Sequence, residues 1–179
     1  GPAPATRDVR EAVENRVTST FVGKDPVTGE RKTLFAAEYS LYNSVGSDVR
    51  LGGGREQVPF GDSLYHLTTR GGDAVLYRLD MDGTDTPVFT KPGAMDCFDV
   101  AEGKALCVGL YDMRPQELYL CDLATGEAKR LTDFNGPAIE DRYIARPEPL
   151  SVESEGLTIE GWVLKPFGYD PAKRYPAVF

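Results

Sequence analysis

The sequence predicts a mainly β protein, a partial β-propeller built from four-stranded blades with a period of about 42 residues. Three observations carry this. From Thr18 onward, short alternating apolar runs are separated by Gly, Asp, Asn and Pro, the texture of strands joined by tight turns. Residues 74–90 (AVLYRLDMDGTDTPVFT) overlay residues 116–132 (QELYLCDLATGEAKRLT), with Leu76-Tyr77 on Leu118-Tyr119 and Asp80 on Asp122, each 42 residues later. The strands ahead of these hairpins repeat as well: residues 63–69 (SLYHLTT) stand about one period before residues 104–111 (KALCVGLY), after the polar turns Gly61-Asp62 and Glu102-Gly103. A sheet of this size buries its two faces only by stacking on neighbours, so two or three blades leave faces open that a full ring covers. The competing explanation is that any all-strand protein reuses Asp-Gly hairpins.

Taken in order, residues 1–17 form a Pro-rich leader in which Val9, Ala12, Val13 and Val17 share one helical face, which predicts a short helix. Residues 18–135 hold the blades. Residues 25–35 (DPVTGERKTLF) are a poorer copy of the turn half, Thr28-Gly29-Glu30 repeating as Thr125-Gly126-Glu127. After Thr132 the repeat stops: a long polar connection leads to a strand over residues 157–164 with the sole tryptophan, Trp162, then a Pro-rich turn. Residues 175–179 read as a buried strand.

Composition narrows the function. A hydrophobic content of 41% with 27% charged residues is that of a folded chain, and no apolar run reaches the roughly 18 residues of a membrane span. The formal charge of -8 and the lack of a basic stripe argue against nucleic acid, whose phosphates need clustered Lys and Arg. Cys97, Cys107 and Cys121 match neither a zinc-ligand spacing nor an even disulfide framework; they read as buried, reduced thiols on strands, which favours a cytoplasmic setting.

Several motifs invite a catalytic reading. Gly61-Asp62-Ser63-Leu64 spells the signature of one group of lipases, and His66, the only histidine, follows closely. A nucleophilic serine needs a base within hydrogen-bond reach. On one strand residue 66 points to the opposite face from residue 63 and lies about 10 Å along it, so the pair cannot meet and the motif reads as a hairpin turn. The acids Asp80, Asp82 and Asp85 suggest a calcium loop, yet a hand-type loop from Asp80 would place Gly sixth and Glu twelfth, where Asp85 and Lys91 stand; they read as turn acids. The glycines of residues 51–55 (LGGGR) lack the Lys and helix of a phosphate cradle. Glu140, Asp141, Arg142, Arg146 and Glu148 form either an interdomain ion-pair network, the wall of a substrate tunnel, or a solvated linker.

The succession LYLCDLATGEAKRLTDFN, then EGLTIEGWVLKPFGYDPAKRYPAVF, resembles the junction between the last propeller blade and the catalytic domain in the prolyl oligopeptidase family of serine peptidases, particularly its dipeptidyl peptidase and acylaminoacyl peptidase branches. Residues 43–83 are similar to the propeller of the same relatives, whereas the helix-like leader has no counterpart. The resemblance implies a propeller capping an α/β-hydrolase that cleaves short peptides with a Ser-Asp-His triad, residues 136–179 being the linker and the first strands of the hydrolase domain. It implies that the propeller gates access to the cleavage site. No Gly-x-Ser-x-Gly elbow is present, so no catalytic residue can be assigned, and no cofactor or metal site is expected. The expected partners are short peptide substrates, the remainder of a peptidase domain, and other copies of the chain through open blade edges. On this reading the chain alone is inactive. The alternative is a non-enzymatic propeller fragment that mediates protein–protein interaction.

Overall fold

The structure is a computed structural model that describes residues 19–46 and 53–178. The helix expected within residues 1–17 lies outside them. The chain divides into two compact units, with the division between Asn135 and Gly136.

In the first unit, β1 (Ser19–Lys24) and β2 (Arg31–Ala37) form an antiparallel hairpin. Two four-stranded antiparallel meanders follow. The first runs through β3 (Gln57–Phe60), β4 (Ser63–Arg70), β5 (Asp73–Asp80) and β6 (Asp85–Phe89), and the second through β7 (Gly93–Ala101), β8 (Lys104–Tyr111), β9 (Glu117–Asp122) and β10 (Ala128–Arg130). They are joined where β5 and β7 meet in parallel at Ala74 and Ala94. The 42-residue repeat is therefore a repeat of strands: Ser63 pairs with Asp80 at the open end of the β4–β5 hairpin, and Lys104 with Asp122 at the open end of the β8–β9 hairpin.

The Asp-led turns show why the repeat is written as it is. Asp122 N–H donates to Glu127 O (2.8 Å), Gly126 N–H to Asp122 O (2.8 Å), and the Asp122 carboxylate accepts from the amides of Ala124 and Thr125. Asp25 does the same, bond for bond: its N–H donates to Glu30 O (2.8 Å), Gly29 N–H returns to Asp25 O (2.9 Å), and Val27 and Thr28 donate to its carboxylate. The upstream turn, which in sequence is the poorer copy, is thus the closer copy in hydrogen bonding. The turn after Asp80 is one residue tighter, Asp80 N–H reaching Thr84 O. Gly126 is required twice over: its φ is +72°, and a Cβ there would stand 2.2 Å from the Val88 carbonyl oxygen on β6.

Packing follows from the pleat. On β4, Tyr65, His66, Leu67 and Thr68 are all buried, because this strand is covered on both faces. One face looks toward the β1–β2 hairpin, where Phe21 sits edge-on to His66 at 4.9 Å between ring centroids. The other joins the second meander in a core that includes Leu67, Leu76, Phe89, Phe98, Cys107 and Tyr111. Tyr111 anchors it, edge-on to both Phe89 (5.2 Å) and Tyr119 (5.0 Å). The far face of the second meander is uncovered: Ala105 and Cys107 are fully buried, whereas Leu106 between them is 46% exposed. The two meanders share one core and are joined through β5 and β7 into one eight-stranded sheet that, among the described residues, does not close into a ring, an arrangement consistent with a propeller-like fold.

The second unit holds a one-turn helix, Gly136–Ile139, and an antiparallel hairpin of β11 (Glu148–Ser154) and β12 (Leu157–Val163). Glu155 (φ 51°) and Gly156 (φ 79°) make its two-residue turn, with both positive φ values that such a turn needs. Two expectations change here. The polar connection contains strand β11, which pairs with the anticipated strand through Val152–Ile159 and Leu150–Gly161. Of residues 175–179, expected to form a buried strand, those described (175–178) are not in a strand and are exposed; Pro176 has no N–H to give a ladder, and the Tyr175 hydroxyl accepts instead from Asp170 N–H at 2.9 Å.

Candidate functional site

Strand β4 puts Ser63 at its start and His66 at its centre, and each is occupied elsewhere. Ser63 Oγ donates to Asp80 Oδ1 (2.6 Å), directly across the ladder, and Arg78 donates to the other oxygen of the same carboxylate (3.0 Å). His66, fully buried, has Nε2 2.8 Å from Asp85 Oδ1 and Nδ1 3.2 Å from the Leu67 carbonyl oxygen. Neither ring nitrogen is bonded to Ser63, so His66 is not placed to act as its base. The lipase-like motif is a turn, Gly61 at φ +60° and Asp62 linking β3 to β4.

What His66 does make is a diagonal contact across three strands. It shares a face with Tyr77 and Pro87 through the β4–β5–β6 register, and Asp85 lies on that face two residues from Pro87. The Asp85 side chain is 6% exposed. Burial pushes the Tyr39 hydroxyl up, and the Asp85 carboxylate beside it pushes in the same direction. Arg70 stands over the Tyr39 ring at 4.1 Å. This cluster ties the segment after β2 to the first meander, a packing role.

The other acids of the suspected calcium loop have similar local tasks. Asp82 caps its own turn by accepting from Thr84 N–H (2.9 Å), which holds its carboxyl below the usual carboxylate range. Among the described residues, no cluster of three or more His, Cys, Asp or Glu side chains could hold a metal ion. Of the glycine loop, Gly54 has a structural reason: φ is +92°, and an added Cβ would be 2.5 Å from the Cys97 side chain. Cys107 and Cys121 are buried thiols on β8 and β9; burial raises both, Cys121 to about 11, so neither is a nucleophile at neutral pH. Cys97, expected to be buried, is only partly so.

Among the described residues, no ion pair joins Glu140, Asp141, Arg142, Arg146 and Glu148 to one another. Glu148 pairs with Lys165 (2.6 Å), Arg142 donates to the Ala138 carbonyl (2.9 Å), and among the described residues no ion pair involves Arg146. The strongest polar constellation is one that residue types alone did not reveal. Glu117, at the start of β9, is 1% exposed and accepts from Thr132 Oγ1 (2.5 Å), Phe134 N–H (3.0 Å), Asn135 N–H (2.9 Å) and Asn135 Nδ2 (3.1 Å). Burial pushes its carboxyl up, but these donors outweigh it and bring it down to about 2. Asp96, also 1% exposed, accepts from Asn43 Nδ2 (3.2 Å) and from Gln116 Nε2. The signal for these positions is weak in sequence, because nothing in a one-dimensional pattern separates a buried acid from the exposed acids around it.

No protein-family model matches the sequence, and no curated protein sequence matches it. Solved structures do. An acylaminoacyl peptidase from Pyrococcus horikoshii shares 28% identity at a TM-score of 0.51, over 59% of this chain and 16% of that one. An acylaminoacyl peptidase in complex with Z-Gly-Gly-Phe-chloromethyl ketone shares 26% at 0.56, over 65% and 18%. A puromycin hydrolase, 23% identical at 0.58 over 88% of this chain and 24% of that one, has the same fold over most of the length. The chain thus spans between 16% and 24% of the length of these relatives. The likeness to the prolyl oligopeptidase family read from the sequence therefore has a counterpart in three dimensions: the chain is similar in structure to part of acylaminoacyl peptidase and of puromycin hydrolase, which are members of that family.

Proposed function

We propose that the chain is the propeller portion, with the opening strands of the hydrolase domain, of a serine exopeptidase or oligopeptidase that hydrolyses short peptides in the manner of acylaminoacyl or dipeptidyl peptidases. The observation that carries this reading is the match to acylaminoacyl peptidase at 26–28% identity. The expectation that the chain alone is inactive rests on a sequence without a Gly-x-Ser-x-Gly elbow and on a Ser63 bonded to Asp80 and not to His66. On this reading residues 18–135 are blades, residues 136–179 lead into the catalytic domain, and the stacked sheets narrow the route to the cleavage site, admitting short unfolded peptides and excluding folded proteins. The natural partners are then the peptide substrates and the rest of the peptidase. The uncovered face bearing Leu106 makes association between copies an expected side reaction. The buried thiols Cys107 and Cys121 are in keeping with a reducing, cytoplasmic setting. Among the described residues, no helix is long and apolar enough to cross a membrane.

The test compares the 179-residue chain with a protein extended by its downstream reading frame, using aminoacyl and dipeptidyl chromogenic substrates. The extended protein is expected to turn over substrate and to be silenced by a serine-directed phosphonate, while the 179-residue chain does neither. Turnover by the short chain that is lost in Ser63→Ala would overturn the reading.

A further inference from the structure

Three of the polar residues buried in the first unit are connected to one another. Asn43 (4% exposed), Asp96 (1%) and Glu117 (1%) lie along one continuous path. Asn43 Nδ2 donates to Asp96 Oδ1 (3.2 Å) and to the Met95 carbonyl (2.8 Å). The second oxygen of Asp96 accepts from the Gln116 side chain. Gln116 passes the path on through its backbone, since its carbonyl accepts from Asn135 Nδ2 (2.9 Å). Asn135 then binds Glu117 through both its amides. Asn43 precedes β3, whereas Asn135 is the last residue of the first unit, so the path runs from the segment before β3 to the residue where that unit ends.

We infer that Asn43, Asp96, Gln116, Asn135 and Glu117 form a buried polar relay that couples the turn carrying Asn43 to the position of residues 132–135. The physical reason is the cost of an incomplete network. A buried carboxylate stripped of its donors loses far more than one whose donors remain, so residues 132–135 cannot leave Glu117 without exposing it to that cost. Gln116 binds Asp96 with its side chain and Asn135 with its main chain, so a shift of the Asp96 carboxylate reaches Asn135 through a single residue. This inference does not depend on which reaction a parent enzyme performs.

Amide hydrogen exchange on the whole chain tests it, because Phe134 N–H and Asn135 N–H both donate to Glu117. Glu117→Gln is expected to speed exchange at both by about tenfold or more, the loss of charge-assisted bonds. Asn43→Ala, far along the relay, is expected to speed the same two amides. It should do so no further in a Gln116→Met background, which cuts the link to Asp96 but keeps the Gln116 carbonyl. Coupling is reciprocal, so Gln116→Met alone should also speed exchange at Val45, whose N–H is held by Asn43 Oδ1 at 2.8 Å. The amides of Ala124 and Thr125, held by Asp122, should not respond. If Asn43→Ala does not fold, the Val45 measurement in Gln116→Met decides alone. Unchanged exchange at Val45 in Gln116→Met, or effects of Asn43→Ala and Gln116→Met that simply add, would overturn the relay.

Discussion

Leu76 and Ile159 are both branched apolar residues near the middle of antiparallel hairpins, yet Leu76 is fully buried and Ile159 is 54% exposed. Their ladders are equally regular: β4 and β5 pair without a break from Ser63–Asp80 to Arg70–Asp73, and β11 and β12 from Glu148–Val163 to Ser154–Leu157. Strand pairing therefore does not make a core. A hairpin satisfies its backbone along the strand edges, but its apolar side chains leave water only when another layer covers the face. The first unit supplies that layer by repetition. In the second, Leu150, Val152, Leu157 and Ile159 project from one face of the hairpin and stay between 46% and 54% exposed.

The sharpest way to test this contrast is to truncate both residues. Leu76→Ala is expected to cost about 2–5 kcal/mol, the transfer of the lost methyl groups plus the cavity they leave. Ile159→Ala is expected to cost less than about 0.5 kcal/mol, as for a surface substitution. The urea midpoint of the β-sheet circular dichroism signal reads both. Equal losses would break the comparison, since they would mean that the hairpin face is covered in solution.

Glycines extend the comparison to the turns. Gly126 and Gly156 both sit at positive φ, +72° and +79°, but a Cβ on Gly126 would press on the Val88 carbonyl at 2.2 Å, while a Cβ on Gly156 meets nothing within 4 Å. Gly156→Ala should therefore cost only the backbone strain, about 1 kcal/mol. Gly126→Ala should cost about 1–3 kcal/mol more, because the turn and β6 must separate. Thermal denaturation of the two variants side by side gives the ordering.

A third contrast is in acid. The Glu117 carboxyl has its pKa lowered in the folded protein from 4.5 to about 2 by the donors of residues 132–135. A depressed folded value means that the folded state holds its proton less tightly than the unfolded state. The stabilisation is therefore complete above about 4.5 and is lost as the pH falls toward about 2. Stability measured through this window should decline in the native sequence, and the decline should be shallower in Glu117→Gln. Parallel curves would remove Glu117 from the account of acid sensitivity.

Which parts of this were legible beforehand follows the range of the interactions. The blade period was readable because it is written in local chemistry: an Asp that caps its own turn, a Gly at positive φ, and an apolar pair four and three residues ahead, as in Leu76-Tyr77 before Asp80 and Leu118-Tyr119 before Asp122. The separation of Ser63 from His66 was readable for the same reason, since two residues on one strand obey its pleat. Strand β11 was not, because EPLSVES carries only two large apolar residues between prolines and acids, and its identity as a strand comes from its partner. The contacts of His66 with Asp85 and of Asn43 with Asp96 join residues 19 and 53 apart, positions that only the stacking of strands brings together. The family likeness was legible at the junction, where the order of turn, strand and Pro-rich segment is unusual as a whole although each part is common.

The smallest effect belongs to the ion pair of the second unit. Lys165 Nζ lies 2.6 Å from Glu148 Oε2, and this bond holds the ammonium above its ordinary value, but both side chains are more than a third exposed. Water and salt screen such a pair, and fixing two long side chains in one geometry costs entropy that offsets most of the attraction. Lys165→Ala is therefore expected to leave the denaturation midpoint within error at 0.15 M ionic strength, about one screening length of 8 Å, and to show at most a small loss at low salt. A clear loss that persists in high salt would place the pair in a drier environment than its exposure gives, and would again point to a layer covering the β11–β12 face. The measurement with the smallest expected signal therefore tests the same claim as Leu76→Ala and Ile159→Ala, through charge screening in place of apolar burial.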